Sequence, residues 1–313
     1  VPRLAFCRQP TGDLSRVRGV PQLPEDLTLP QGLIPDVPPA TPVQPRDAAT
    51  VVLVREGGAG LEVFLLRRVL GMAFAGGMSV FPGGGVDRRD ADTSVAWAGP
   101  EPAWWARRFG CEPELATALV CAAVRETFEE AGVLLAGPDA TSVVADTTEY
   151  ADARQALVSR DVSLAQFLSE AGLVLRSDLL RPWANWVTPA EEVRRYDTRF
   201  FLAALPAGQH ADGATTEAED AAWQRPVEAL EDWREGRRAL LPPTWMTLAE
   251  LAECGSVAVA LSTALTSDRT IEKIVPRVVR RGDSLCVVLP GDPEYDGAAG
   301  HLDARPGDRL ERR

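Results

Sequence analysis

Arg125, Glu126, Glu129 and Glu130 stand together between apolar Val124, Phe128 and Val133. At about 100° per residue, the three glutamates fall within a ~100° arc of a helix, with Val124 and Phe128 roughly opposite. The helix itself is well signalled. Leu119, Val120, Val124 and Phe128 recur at helical spacing, Ala122, Ala123 and Ala131 are strong helix formers, and Gly132 is a C-terminal stop. Arg125 and Glu129 are one helical turn apart and can pair, which would orient Glu129. Like charges ~4 Å apart repel by about 4 kcal/mol at an effective dielectric of ~20, so such a cluster needs partners. Hard divalent cations are suitable partners, because they take carboxylate oxygens and also bind phosphate. The plainer alternative is a solvated acidic helix face.

Upstream lies Gly83-Gly84-Gly85-Val86-Asp87, entered through Phe81 and Pro82. Glycines let a backbone approach a ligand closely, and a tight turn without a ligand is the alternative. The run Arg125-Glu126-Thr127-Phe128-Glu129-Glu130-Ala131-Gly132-Val133 has the form R-E-U-x-E-E-x-G-U, with an apolar U, relaxed at Thr127.

Together these segments resemble the Nudix box, G-x5-E-x7-R-E-U-x-E-E-x-G-U. Phe81-Pro82-Gly83-Gly84 is similar to the usual entry, and Arg125, Glu126, Glu129, Glu130, Gly132 and Val133 match the second half. Two departures stand out. About 27 residues are inserted between Gly84 and Arg125, and the first box Glu, counted back from Arg125, falls on Thr117. Glu112 and Glu114 are the candidates to replace that acid.

A split box resembles the branch that includes coenzyme A diphosphatases. The similarity extends through Trp186-Val187-Thr188-Pro189, residues 195–201 and Pro242-Pro243-Thr244, covering roughly 47–250. The resemblance implies an α/β fold, a Nudix α/β/α sandwich with a mixed sheet. It also implies metal-dependent hydrolysis of a nucleoside diphosphate linked to another moiety. Coenzyme A or acyl-CoA is the substrate to which the branch points. NADH, dinucleotides and nucleotide sugars stay open, as does a degenerate domain that only binds a nucleotide or a protein partner.

The implied ligands for Mg2+ or Mn2+ are Glu126, Glu129, Glu130 and the Gly83 carbonyl, with Arg125 orienting the carboxylates. The base is a metal hydroxide, Glu126 or Glu217; the last resembles a strand position carrying an extra carboxylate. In the Nudix fold that the resemblance implies, positions like Arg67 and Arg68 at a strand end often face the substrate, so one of them is expected to touch phosphate; a solvated strand end is the alternative. Arg195 and Arg199 beside Tyr196 suit an anionic, ring-bearing substrate through bidentate contacts and stacking, or else pair with Glu191, Glu192 and Asp197.

Composition sets outer limits. The 313 residues are 45% hydrophobic and allow one large decorated domain or two domains. A net charge of −12 argues against a nucleic-acid polymer, for want of a basic stripe, but not against a small anion beside a metal. Five scattered cysteines read as free thiols of a reducing compartment, so a cytoplasmic setting is expected. No apolar run spans a bilayer, and the start lacks signal-peptide architecture. His210 and His301 are the only histidines, which nearly excludes a histidine metal site or triad. Lys273 is the only lysine, so phosphate contacts fall mostly to arginine and backbone N–H groups.

The elements that must position these residues follow. Residues 1–46 form a proline-rich, extended arm, disordered or laid over the domain. Residues 47–250 form the main domain, opening with a hairpin of 49–54 and 61–68. Residues 88–113, the insertion within the box, read as a loop anchored by Trp97, Trp104, Trp105 and Phe109. These aromatics pack on the parent domain, cap the cleft or make a homodimer contact. Helical patterns cover 148–171, 226–240 and 242–251, and strands cover 179–187 and 200–205. Residues 251–313 are a small C-terminal extension, with a helical pattern over 256–266, a hairpin around Gly282 and a frayed end from 296.

Overall fold

The computed structural model describes residues 23–25, 27–30, 33–35, 37–71, 75–265 and 271–298. In chain order its elements are β1 (Arg46–Gly57), β2 (Gly60–Arg68), β3 (Ser79–Val80), β4 (Gly83–Gly85), β5 (Trp97–Ala98), α1 (Pro102–Phe109) and α2 (Pro113–Ala131). Then come β6 (Ala136–Gly137), α3 (Ala151–Val158), α4 (Leu164–Glu170), β7 (Val174–Arg176), β8 (Leu180–Val187), β9 (Tyr196–Ala204) and β10 (Ala218–Gln224). The rest are α5 (Pro226–Arg234), α6 (Pro242–Ala252), α7 (Val257–Thr263), β11 (Lys273–Ile274), β12 (Arg277–Arg281) and β13 (Ser284–Val288).

The main sheet runs β10-β2-β1-β9-β8-β11, with β3 on β2 and β4 on β1. It is mixed: β1 pairs parallel to β9 and β8 parallel to β11, whereas β1 is antiparallel to both β2 and β4. Side chains alternate between its faces. On β1, Ala49, Val51 and Leu53 face one core with α1 and α2, while Val52 and Val54 face a second core with α5, α6 and α7. Two apolar layers on one sheet give the α/β/α sandwich.

Helix α2 begins with Pro113 at its first turn and ends at Gly132, whose φ of 68° closes the helix by an N–H bond to the Phe128 carbonyl. Leu119, Val120, Val124 and Phe128 are all fully buried, so the apolar face anchors the carboxylate face opposite it.

Four expectations are corrected. The insertion 88–113 is not a loop throughout: it carries α1, whose Trp105 is fully buried against Phe109 and Phe201. Its aromatics thus pack on the parent domain. The boundaries after 46 and 250 fall inside β1 and α6, so neither separates units. The 251–313 extension is no mere appendage, because β11 joins the main sheet. The helix placed over 226–240 ends at Arg234. The arm is laid over the domain where it is described: Leu27 is buried, and the Leu29 N–H donates to the Leu285 carbonyl at 2.8 Å. Residues 1–22 and 299–313, His301 among them, lie outside the described residues.

Among the described residues, Cys111, Cys121, Cys254 and Cys286 form no disulfide, and no helix is long and apolar enough to cross a membrane. Cys7 lies outside the described residues.

Candidate active site

Strand β4 consists of the three glycines; Gly83 is needed against the backbone of β1, and Gly84 leaves room for the Glu126 carboxylate where it stands. A Cβ on Gly83 would lie 2.5 Å from the Ala49 carbonyl oxygen, and one on Gly84 would lie 2.5 Å from the Glu126 carboxylate. The bare strand therefore lets the α2 carboxylates come up beside it. Val51 N–H bonds to the Pro82 carbonyl and Val86 N–H to the Asp47 carbonyl. An antiparallel ladder alternates, so Gly83 and Gly85 turn their peptide groups away from β1. The Gly83 N–H donates to Glu130 Oε2 at 2.8 Å, and the Gly85 carbonyl accepts from Arg125 Nη2 at 3.0 Å. The Gly83 carbonyl lies outside the ladder on the same edge.

Arg125 is the hub of the charges. Its Nε and Nη2 donate to the two oxygens of Asp90, both at 2.9 Å, and its Nη1 donates to Glu126 at 2.7 Å and Glu129 at 3.3 Å. Asp90 is 2% exposed, and its bidentate pair with a planar guanidinium fixes the arginine's orientation. This corrects the expectation that the first box acid is missing. Counted forward from Gly84, the box position falls on Asp90; counting back across the insertion gave Thr117. Thr117 donates to its own helix at the Pro113 carbonyl, while Glu112 and Glu114 are exposed at the start of α2.

Burial dominates the electrostatics. It pushes the Glu126 carboxyl up to about 7, with Arg125 opposing and Glu129 adding repulsion. It pushes Glu130 up to about 8, helped by Glu126 and opposed by the Gly83 N–H. Glu129 is raised for the same reason. These are carboxylates short of positive charge, which is a fit for a small, hard divalent cation. Among the described residues, no three His, Cys, Asp or Glu side chains enclose a metal by themselves. That suits ions bound by one or two carboxylates and completed by phosphate and water.

Glu126, Glu130 and the three glycines open into a cavity of ≈ 470 Å³. Its floor is one face of the sheet. Gly85, Ala48, Thr198 and Trp186 form one row of register partners, and Gly83, Thr50 and Phe200 form another, two residues along. Arg68, Glu217, Arg160, Arg194 and Tyr196 also line it. Walls come from Leu29 and Ile34 of the arm and from Pro276 and Val287 of the extension.

Three residues expected at the substrate are elsewhere. Arg67 points away and pairs with Glu219 at 2.9 Å; its strand neighbour Arg68 takes the cavity face and pairs with Glu217 at 2.9 Å. Arg195 donates to the carbonyls of Val43 and Thr188. Arg199 is 2% exposed and bonded to Asp47 and Asp197. Tyr196 and Glu217 do line the cavity. Glu129 stays with Arg125. Arg160 was not singled out from sequence; it turns the chain after α3 with a φ of 63°, unusual for a residue with a side chain. Arg194, the chain neighbour of Arg195, lines the cavity as well.

A family model described as the NUDT19 Nudix domain matches residues 110–251. The acyl-coenzyme A diphosphatase NUDT19 of Gallus gallus is 28% identical, over 80% of this chain and 82% of its own. A putative nudix hydrolase 7 of Caenorhabditis elegans is 30% identical, over 66% of this chain and 61% of its own. The crystal structure of a NUDIX hydrolase from Alicyclobacillus acidocaldarius superposes with a TM-score of 0.62 at 29% identity, covering 74% of this chain and 99% of that one. With a split box folded around one arginine hub and relatives that share most of its length, the chain belongs to the Nudix hydrolase superfamily.

Proposed function

We propose that the protein hydrolyses the diphosphate bond of coenzyme A or an acyl-CoA. The observation that carries this reading is the cavity itself, which joins the Glu126–Glu130–glycine edge to an apolar floor and walls. The relatives named as acyl-coenzyme A diphosphatases support it. Water adds across the P–O–P bridge, so that one phosphorus gains the hydroxyl and the bridging oxygen leaves on the other phosphate with the proton. Two phosphate monoesters result.

Glu126 and Glu130, with the Gly83 carbonyl, are the proposed holders of Mg2+ or Mn2+. Such an ion would neutralise the diphosphate and lower the pKa of the attacking water. Arg125, locked by Asp90, keeps Glu126 and Glu129 from turning to solvent. The proposed base is a hydroxide on the ion, Glu126 or Glu217, the two carboxylates both lining the cavity. Arg68, Arg160 and Arg194 offer cationic groups to phosphate oxygens.

The test is release of phosphate monoesters from CoA, octanoyl-CoA, NADH, ADP-ribose and a nucleotide sugar, each with Mg2+ and with Mn2+. The highest kcat/KM is expected on CoA or its acyl form. Binding of CoA without product would favour a domain that only binds.

A further inference from the structure

The loop between β8 and β9 places a carboxylate in the cavity that the hydrolytic chemistry does not use. Glu192 is 4% exposed, lines the cavity, and leaves Oε1 buried with no hydrogen-bond partner among the described residues. Leaving a buried polar atom unpaired is costly, so such an atom on a cavity-lining residue is a place where a ligand can supply what is missing.

Its position says which part of a ligand. The sheet order from the glycine strand is β4, β1, β9, β8, and Glu192 follows the end of β8. Three strand spacings of about 4.8 Å put β8 roughly 14 Å from β4. A diphosphate held at the glycines does not reach that far; a flexible arm attached to it does. The path runs over Thr198, Phe200 and Trp186, with Pro242 and Pro243 alongside, so the arm must also tolerate apolar contact.

We propose that Glu192 is a specificity-determining residue that hydrogen-bonds an amide on the arm beyond the diphosphate. This rests on the diphosphatase reading above and assigns the coenzyme's amide-bearing arm to the β8–β9 side of the cavity. An amide is suited to this carboxyl in either state. Burial pushes Glu192 upward, against the pull of the Arg194 and Val193 N–H groups. Ionised, it accepts from the amide N–H; protonated, it also donates to the amide carbonyl.

The experiment compares CoA with the β-methyl ester of ADP, which keeps adenosine and diphosphate but has no arm. For the unaltered protein, kcat/KM should favour CoA. Glu192→Leu should lower that preference about tenfold, with the loss on CoA falling in KM and not in kcat. Glu192→Gln, which keeps an acceptor and a donor, should restore most of it. An unchanged preference in a Glu192→Leu protein that melts as a folded domain overturns the assignment. So does an equal loss on both substrates. Hydrolysis of both substrates alike by the unaltered protein overturns the arm site and leaves a diphosphatase. Hydrolysis of neither overturns the functional reading, and the arm site with it.

Discussion

Glu130 sits where a single proton decides both stability and chemistry. Its carboxyl and that of Glu126 are raised to about 8 and about 7 from an ordinary 4.5. The folded, metal-free protein therefore holds extra protons between about pH 4.5 and pH 8. The stability they contribute is fully present below that window and is lost as pH rises through it. In chelator, thermal melts should show a lower Tm at pH 8 than at pH 5. A divalent cation should flatten the difference by replacing the protons, and a Tm that climbs with pH in chelator would contradict the burial argument. Glu130→Gln keeps an oxygen for the Gly83 N–H but removes the charge. It should cut kcat by about a hundredfold or more while leaving Tm at pH 8 equal or higher; near-normal turnover would remove Glu130 from the site. Asp90→Ala takes away the bidentate partner of Arg125 and leaves it Glu126, Glu129 and the Gly85 carbonyl. Breaking a buried pair on one side costs about 3–5 kcal/mol, so urea unfolding should show a loss of that order.

Strand β4 and helix α2 make one device, and the glycines are what couple them. Gly84→Ala would put a methyl group against the Glu126 carboxylate, the free end of a flexible side chain. The fold should tolerate this, with a cost within about 1 kcal/mol. The carboxylate must swing aside, and a displacement of about 1 Å is enough to cost on the order of a hundredfold in rate. Normal kcat with normal stability would mean that Glu126 does not work from its observed position. Much of this device was legible beforehand. The glutamates, the arginine and the helix stop at Gly132 are local patterns, and their periods survive folding. Arg67 against Arg68 was not legible, since a strand end alternates faces and nothing local says which face meets the cavity. Arg195 and Arg199 beside Tyr196 read equally well as ligands or as ion pairs. Asp90 was legible but was counted from the wrong side of the insertion.

The site is completed by the two parts of the chain furthest apart in sequence. The arm and the extension meet at the Thr28 and Cys286 bridge, and Leu29, Ile34, Pro276 and Val287 then close the cavity on one side. Lys273, from β11, reaches Asp197 at 2.6 Å and ties the extension to the strand pair under the cavity floor. Sequence patterns are blind to such long-range closure, because prolines report only that no helix forms and short apolar runs do not name their partners. The arm should open before the domain does, since it bridges to the separate two-stranded sheet β12–β13 and not to the main sheet, and local unfolding begins in such peripheral pairings. Leu29→Pro removes the N–H that bonds to the Leu285 carbonyl. Limited proteolysis within 23–45 should then speed up several-fold with little change in the main melting transition, and KM for CoA should rise because one side of the cavity is loosened. Added CoA with the metal should slow the cleavage in the unaltered protein and do so less in the variant. A cleavage rate indifferent to both the substitution and the ligand would mean that the arm does not wall the cavity.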